Sequence, residues 1–92
     1  EVADLMRYKA ASLFDRGLPA GKESNIAKLA ASKAAYEATD RAVQTLGGYG
    51  MAEEYDVERY FREARLTLIA PVSTEMILNY LSEHVLGLPR SY

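Results

Sequence analysis

Residues 25–46 run for 22 positions without a Gly or a Pro, and that run restricts the fold more than any other feature. Alanine, the strongest helix former, recurs through it. Ala27, Ala31, Ala34, Ala38 and Ala42 fall near one line on a helical cylinder, with Leu29 and Val43 on flanking faces. Small side chains in a line let a second helix approach closely, where Leu or Phe would hold it off. The spacing predicts a central helix with neighbours on more than one side, and the Ala seam itself reads as packing.

The remaining segments are helical too. Val2, Leu5, Met6, Ala10, Leu13 and Phe14 recur at three- and four-residue spacing, with Asp4, Arg7 and Lys9 between them. Gly17 and Pro19 mark the stop of that first helix. Residues 18–23 read as a loop, and Ser24 as the N-cap of the long helix. Asp56 is placed to cap a short third helix over 57–64, supported by Glu58–Arg62 and Arg59–Glu63 at i, i+4. Residues 66–70 alternate like a strand, but a single strand has nothing to pair with, so they read as a helix end or linker. Pro71 suits the first turn of a last helix. In that helix Met76, Ile77, Tyr80, Leu81 and His84 share a face opposite Asn79, Ser82 and Glu83; Gly87 and Pro89 end it. The expectation is an all-α helical bundle with three substantial helices and one short one. The long helix is apolar over more faces than two partners can cover, which predicts missing partners.

Composition closes off several functions. Eleven Lys and Arg stand against 13 Asp and Glu, for a net charge of −2, so nothing draws the chain to nucleic acid or to an anionic membrane. With no Cys there is no disulfide framework, thiolate metal site or cysteine nucleophile. His84 is the lone histidine, too few for a His-rich metal site, and it reads as a packing residue. No apolar run reaches the length of a membrane helix. The chain opens at Glu1, already charged and periodic, and reads as one domain over 1–92, truncated on its N-terminal side.

Three glycines in four residues, Gly47-Gly48-Tyr49-Gly50, exceed what a helix stop needs. One reading is a C-cap and tight turn. The other is a place where backbone must come close to something, because Gly has no Cβ, and where successive N–H groups could form an anion-binding nest. It is not the dinucleotide fingerprint, which follows a strand and opens a helix, and the helix dipole at this end disfavours phosphate. Gln44, one turn earlier, offers an amide that both donates and accepts. Glu53, Glu54, Asp56 and Glu58, with Arg59, Arg62 and Arg65, read as a charge-paired surface in which Arg62 is the candidate for burial. Glu75 is electrostatically well placed at a helix start. The seven tyrosines are scattered and form no platform for stacking bases.

Three blocks carry a family signature: Ile26-Ala27-Lys28-Leu29-Ala30-Ala31-Ser32-Lys33-Ala34-Ala35, then Ala42-Val43-Gln44-Thr45-Leu46-Gly47-Gly48-Tyr49-Gly50, then Val57-Glu58-Arg59-Tyr60-Phe61-Arg62-Glu63-Ala64-Arg65. In order and spacing they resemble the carboxyl-terminal part of acyl-CoA dehydrogenases, over nearly the whole chain. The resemblance implies part of a carboxyl-terminal four-helix bundle in an FAD enzyme that oxidises acyl-CoA thioesters, with an amino-terminal helical domain and a middle β domain elsewhere. It implies a homo-oligomer in which the segment matching Gln44, Gly47 and Gly48 lies against the adenosine–pyrophosphate part of FAD held mainly by a neighbouring subunit. Ser73 and Glu75 match positions near the adenine side of FAD. The usual position of the catalytic Glu, two residues before Ser73, is Pro71, which cannot accept a proton. Some relatives carry that Glu on the preceding bundle helix, outside this chain. Alternatives are a flavin-dependent oxidase or monooxygenase of the same fold, and a non-enzymatic helical module. Residues 86–92 look like the natural end of a bacterial branch. A cytoplasmic location, an inactive isolated chain and no membrane insertion complete the expectations.

Overall fold

A computed structural model describes residues 1–91; Tyr92, part of the expected carboxyl terminus, lies outside them. Four α-helices follow one another: α1 (Val2–Asp15), α2 (Gly21–Leu46), α3 (Val57–Thr67) and α4 (Thr74–His84), with a 3-10 turn at Gly47–Met51 between α2 and α3. No strand occurs among the described residues, as the helical periodicity requires. At 26 residues, α2 is about 39 Å long. Its backbone runs close to α1, the 3-10 turn, α3 and α4, whereas the backbones of α1, α3 and α4 stay apart from one another. The Gly- and Pro-free run is therefore the spine of the molecule. No helix is long and apolar enough to cross a membrane among the described residues.

Each helix meets the spine through a narrow seam. On α1 the half-buried residues are Ala3, Met6, Ala10 and Leu13, a 3-4-3 spacing that keeps them on one line. Val2, Leu5 and Phe14, expected on that face, are exposed, because they lie beside the seam and not on it. Gly17 ends α1 as expected. It takes φ +68°, the Gly17 amide donates to the Phe14 carbonyl, and the Leu18 amide donates to the Leu13 carbonyl, both at 2.9 Å, which is the Schellman arrangement. On α3 the seam is Val57, Phe61 and Ala64, continued by Leu68 at the C-cap, and Phe61 stacks on Tyr36 of α2 with ring centroids 5.5 Å apart. On α4, Ile77 is buried to 1% exposure. Tyr80 and Leu81 are half-buried there, Met76 and His84 are exposed, and the His84 ring rests on Tyr80 at 4.6 Å. Ala31, Ala34, Ala35 and Ala38 of α2 stay exposed, so three partner helices leave part of the Ala face uncovered.

Several boundaries differ from the sequence expectation. α2 starts at Gly21, and Ser24 lies within its first turn. The Ser24 hydroxyl donates back to the Ala20 carbonyl at 2.8 Å, so it caps nothing. α3 runs past residue 64 to Thr67 because its seam continues to Leu68, and residues 66–70 contain no strand. Asp56 occupies the cap position of α3 but makes no capping bond; its carboxylate accepts from Arg59 at 3.1 Å. The pairs Glu58–Arg62 at 2.8 Å and Arg59–Glu63 at 3.3 Å form as expected. Arg62, however, is 69% exposed along its side chain and is not buried. Pro71 falls short of α4: it sits in the α3–α4 loop behind a cis Ala70–Pro71 bond, and Ser73 is the N-cap.

Candidate functional site

Two regions hold the residues singled out from the sequence. The first is the end of α2. Gln44 and Gly47 are exposed in the last turn and at its C-cap, and the Gly47 amide donates to the Gln44 carbonyl. The three glycines have three different jobs. Gly47 takes φ +59° and ψ −133°, a backbone state open essentially to Gly alone. Gly50 is buried and lies against α2: a Cβ there would sit 2.5 Å from the Val43 carbonyl oxygen and 2.9 Å from Val43 Cα. Gly48 would meet nothing of this chain within 4 Å, and its φ is not positive. Within the chain the close approach occurs at Gly50, which presses the turn onto α2. Gly48 faces outward, with its backbone open to whatever approaches.

The second region is the start of α4. Ser73 caps the helix by accepting from the Met76 amide at 3.3 Å. The Glu75 carboxyl is held below its ordinary value of 4.5, first by a hydrogen bond from its own backbone N–H, next by the Ser73 hydroxyl, and more weakly by the charges of Arg65 and Lys28; partial desolvation opposes these. Glu75 is therefore an anion at neutral pH. Ser73, Thr74 and Glu75 line an open cleft of about 330 Å³ with Lys33 of α2 and Arg65 of α3. Such a cleft presents two cations, a carboxylate and hydroxyls to a polar ligand.

Pro71 lines a neighbouring and almost wholly apolar cleft of about 360 Å³, together with Lys28, Ala31, Ser32, Ala35, Thr67 and Ala70. No carboxylate lines it, so proton abstraction has no acceptor here.

The two regions do not merge. The α4 cleft meets α2 at Lys33, eleven residues before Gln44, or about 16 Å along the helix, and neither Gln44 nor Gly47 nor Gly48 lines it. Ser73, Glu75, Lys33 and Arg65 are brought together; Gln44, Gly47 and Gly48 form a separate outward edge. Lys28, Lys33 and Arg65 were not read as site residues from the sequence. Lys33 and Lys28 look like solvated charges in an Ala-rich helix, and only the fold carries α4 past them.

Comparison with known proteins shows the family. Residues 1–86 match the family model described as acyl-CoA dehydrogenase, C-terminal domain. Over its whole length the chain is 49% identical, across 94 aligned positions, to acyl-CoA dehydrogenase FadE12 of Mycobacterium tuberculosis, of which it covers 24%. It is 44% identical to the acyl-CoA dehydrogenase of Bacillus subtilis, with 95% of the chain and 23% of the relative aligned. It is also 44% identical, over its whole length and 22% of the relative, to the mitochondrial short-chain specific acyl-CoA dehydrogenase of Rattus norvegicus. The chain spans about a quarter of the length of these curated relatives. With its four helices, its Gly-Gly-Tyr-Gly turn and its Ser73-capped last helix, the chain belongs to the acyl-CoA dehydrogenase family and matches its C-terminal domain.

Proposed function

We propose that this chain is the helical portion of an FAD-dependent acyl-CoA dehydrogenase, a cytoplasmic homo-oligomer. In it Gln44, Gly47 and Gly48 contact the flavin cofactor held by a neighbouring subunit, and Ser73 and Glu75 contact FAD near its adenine side. The observation that carries the reading is the match to the family over residues 1–86. The residues present suit the cofactor. Gly48 leaves backbone uncovered within the chain, and the cleft beside Ser73 combines hydroxyls with Lys33 and Arg65, groups able to donate to phosphate and ribose oxygens. FAD, when bound, supplies the hydride acceptor for α,β-oxidation of an acyl thioester. The residues of this chain bind and orient it. None of those lining the Pro71 cleft takes the α-proton, since Lys28 is a charged donor and Pro71 has no acceptor side chain. In this reading the general base is supplied by another part of the enzyme, and the isolated chain is inactive.

A second reading rests on the same Pro71. A family member without a base at this position suits flavin-dependent oxidase or monooxygenase chemistry. One experiment separates the two. The full-length protein carrying this chain is purified, its FAD content measured, and acyl-CoA added without oxygen. Loss of the oxidised-flavin absorbance on adding acyl-CoA is expected. Prompt reoxidation of the reduced flavin when oxygen is readmitted, or bound flavin that acyl-CoA leaves oxidised, favours the second reading, and absence of flavin rejects both.

A further inference from the structure

One side chain ties the start of α4 to the body of the molecule. The Lys28 ammonium on α2 donates to the Thr67 carbonyl and to the Val72 carbonyl, each at 2.6 Å. Thr67 is the last residue of α3, where carbonyls lack partners within the helix and the helix dipole favours a cation. Val72 immediately precedes Ser73, the N-cap of α4. One ammonium therefore grips both flanks of the 68–72 loop. Across the loop's ends the Thr74 amide donates to the Leu68 carbonyl at 3.1 Å. Below it lie Ala31 and Ala35, too short to hold the loop by packing. Hydrogen bonds from a charged donor are about twice as strong as neutral ones, so the position of the loop follows Lys28.

We propose that Lys28 is a positioning residue for flavin binding: by clamping the carbonyls of Thr67 and Val72 it fixes where Ser73 and Glu75 stand, without touching the cofactor itself. This rests on the reading of Ser73 and Glu75 as flavin contacts. Removing the ammonium leaves two carbonyls without their donor and releases the loop from α2, so the α4 N-terminus loses its register against the cleft lined by Lys33 and Arg65. Arginine at the same position can still donate to two carbonyls.

The test uses the full-length holoprotein carrying this chain. FAD dissociation constants are measured by flavin fluorescence for wild type, Lys28→Met, Lys28→Arg, the double variant Ser73→Ala/Glu75→Gln, and Ile77→Val as a packing control. Melting temperatures of the flavin-free forms are taken alongside. Lys28→Met is expected to bind FAD about tenfold more weakly, Lys28→Arg to recover most of that loss, and Ile77→Val to lower the melting temperature with FAD affinity unchanged. If the double variant binds FAD as wild type does, the flavin reading of α4 fails, and the Lys28 proposal with it. If the double variant is weakened and Lys28→Met is not, the Lys28 proposal alone is overturned. It is also overturned if Lys28→Met and Ile77→Val lose affinity in the same proportion to melting temperature. Should the Met variant not fold, Lys28→Gln, with its neutral donor, is read by the same outcomes.

Discussion

The residues of the Gly-Gly-Tyr-Gly turn separate cleanly under substitution, because each glycine answers to a different constraint. Gly47→Ala puts a Cβ on a backbone at φ +59°, which costs on the order of 1–3 kcal/mol. Gly50→Ala drives a Cβ into the Val43 backbone, and neither side of that contact is a flexible tip, so a cost of roughly 1–3 kcal/mol is expected from overpacking. Gly48→Ala meets no atom of the chain and is expected to stay within about 0.5 kcal/mol of wild type. Urea unfolding of the three variants checks the order. A Gly48→Ala variant as unstable as Gly50→Ala would show that the outward edge is not open. The sequence pattern announced that backbone comes close to something here. It could not say which glycine does so, because that depends on the turn folding back over Val43.

At the scale of elements, the long helix, the α1 stop and the two i, i+4 ion pairs were legible because they depend on local spacing and on Gly17. The start of α2 was misplaced because Ser24 carries the residue type of a cap. Its hydroxyl finds the Ala20 carbonyl one turn back, an outcome open to any Ser in a first turn. The end of α3 was cut short because Leu68 looked like part of an alternating run until the seam through Phe61 and Ala64 gave it a partner surface. Of the candidate site, Ser73 and Glu75 were legible only through the family resemblance; Pro71, which suits a first helical turn, hid the Ser73 cap, and the cations Lys33 and Arg65 are recruited by packing and have no local pattern. The start of α4 also carries a pH dependence. The Glu75 carboxyl is lowered in the fold by its own N–H, the Ser73 hydroxyl and nearby cations. Its contribution to stability is therefore full above the ordinary carboxylate value near 4.5 and is lost as pH falls through the lower folded value. Glu75→Gln should remove that part of the acid sensitivity. Urea midpoints measured between neutral and acidic pH should converge for the two proteins at the acidic end, and parallel curves would show that Glu75 gains nothing on folding.

The whole molecule carries more surface than its mass warrants. It exposes 6769 Å², where a compact monomer of this size shows about 5300 Å². Its radius of gyration is 16.2 Å against about 12 Å for a compact chain of this length. The difference in area is of the order buried in a stable protein–protein interface, and Leu5, Phe14, Met51 and Leu86 are among the apolar side chains left outside. The isolated chain is therefore expected to self-associate. Sedimentation equilibrium over a wide concentration range should give masses above that of one chain, and a strictly monomeric mass with a cooperative melt would count against this. The uncovered surface was legible in outline, since an Ala-rich helix apolar on several faces asks for more partners than three short segments supply. α1 adds a consequence in time. It has no buried residue and is held by its Ala3–Met6–Ala10–Leu13 seam and by Lys9, which pairs with the buried Glu23 at 3.3 Å. Its contact with α2 is the most extensive of the three partner helices, but none of its side chains is fully withdrawn from water, and such an element opens without the rest. In deuterated water its amides should therefore exchange as one early group, while those of α2 flanking Ser32 are still protonated. The order in which the helices take up the isotope would be a clock reading of how much of this spine each of them owns.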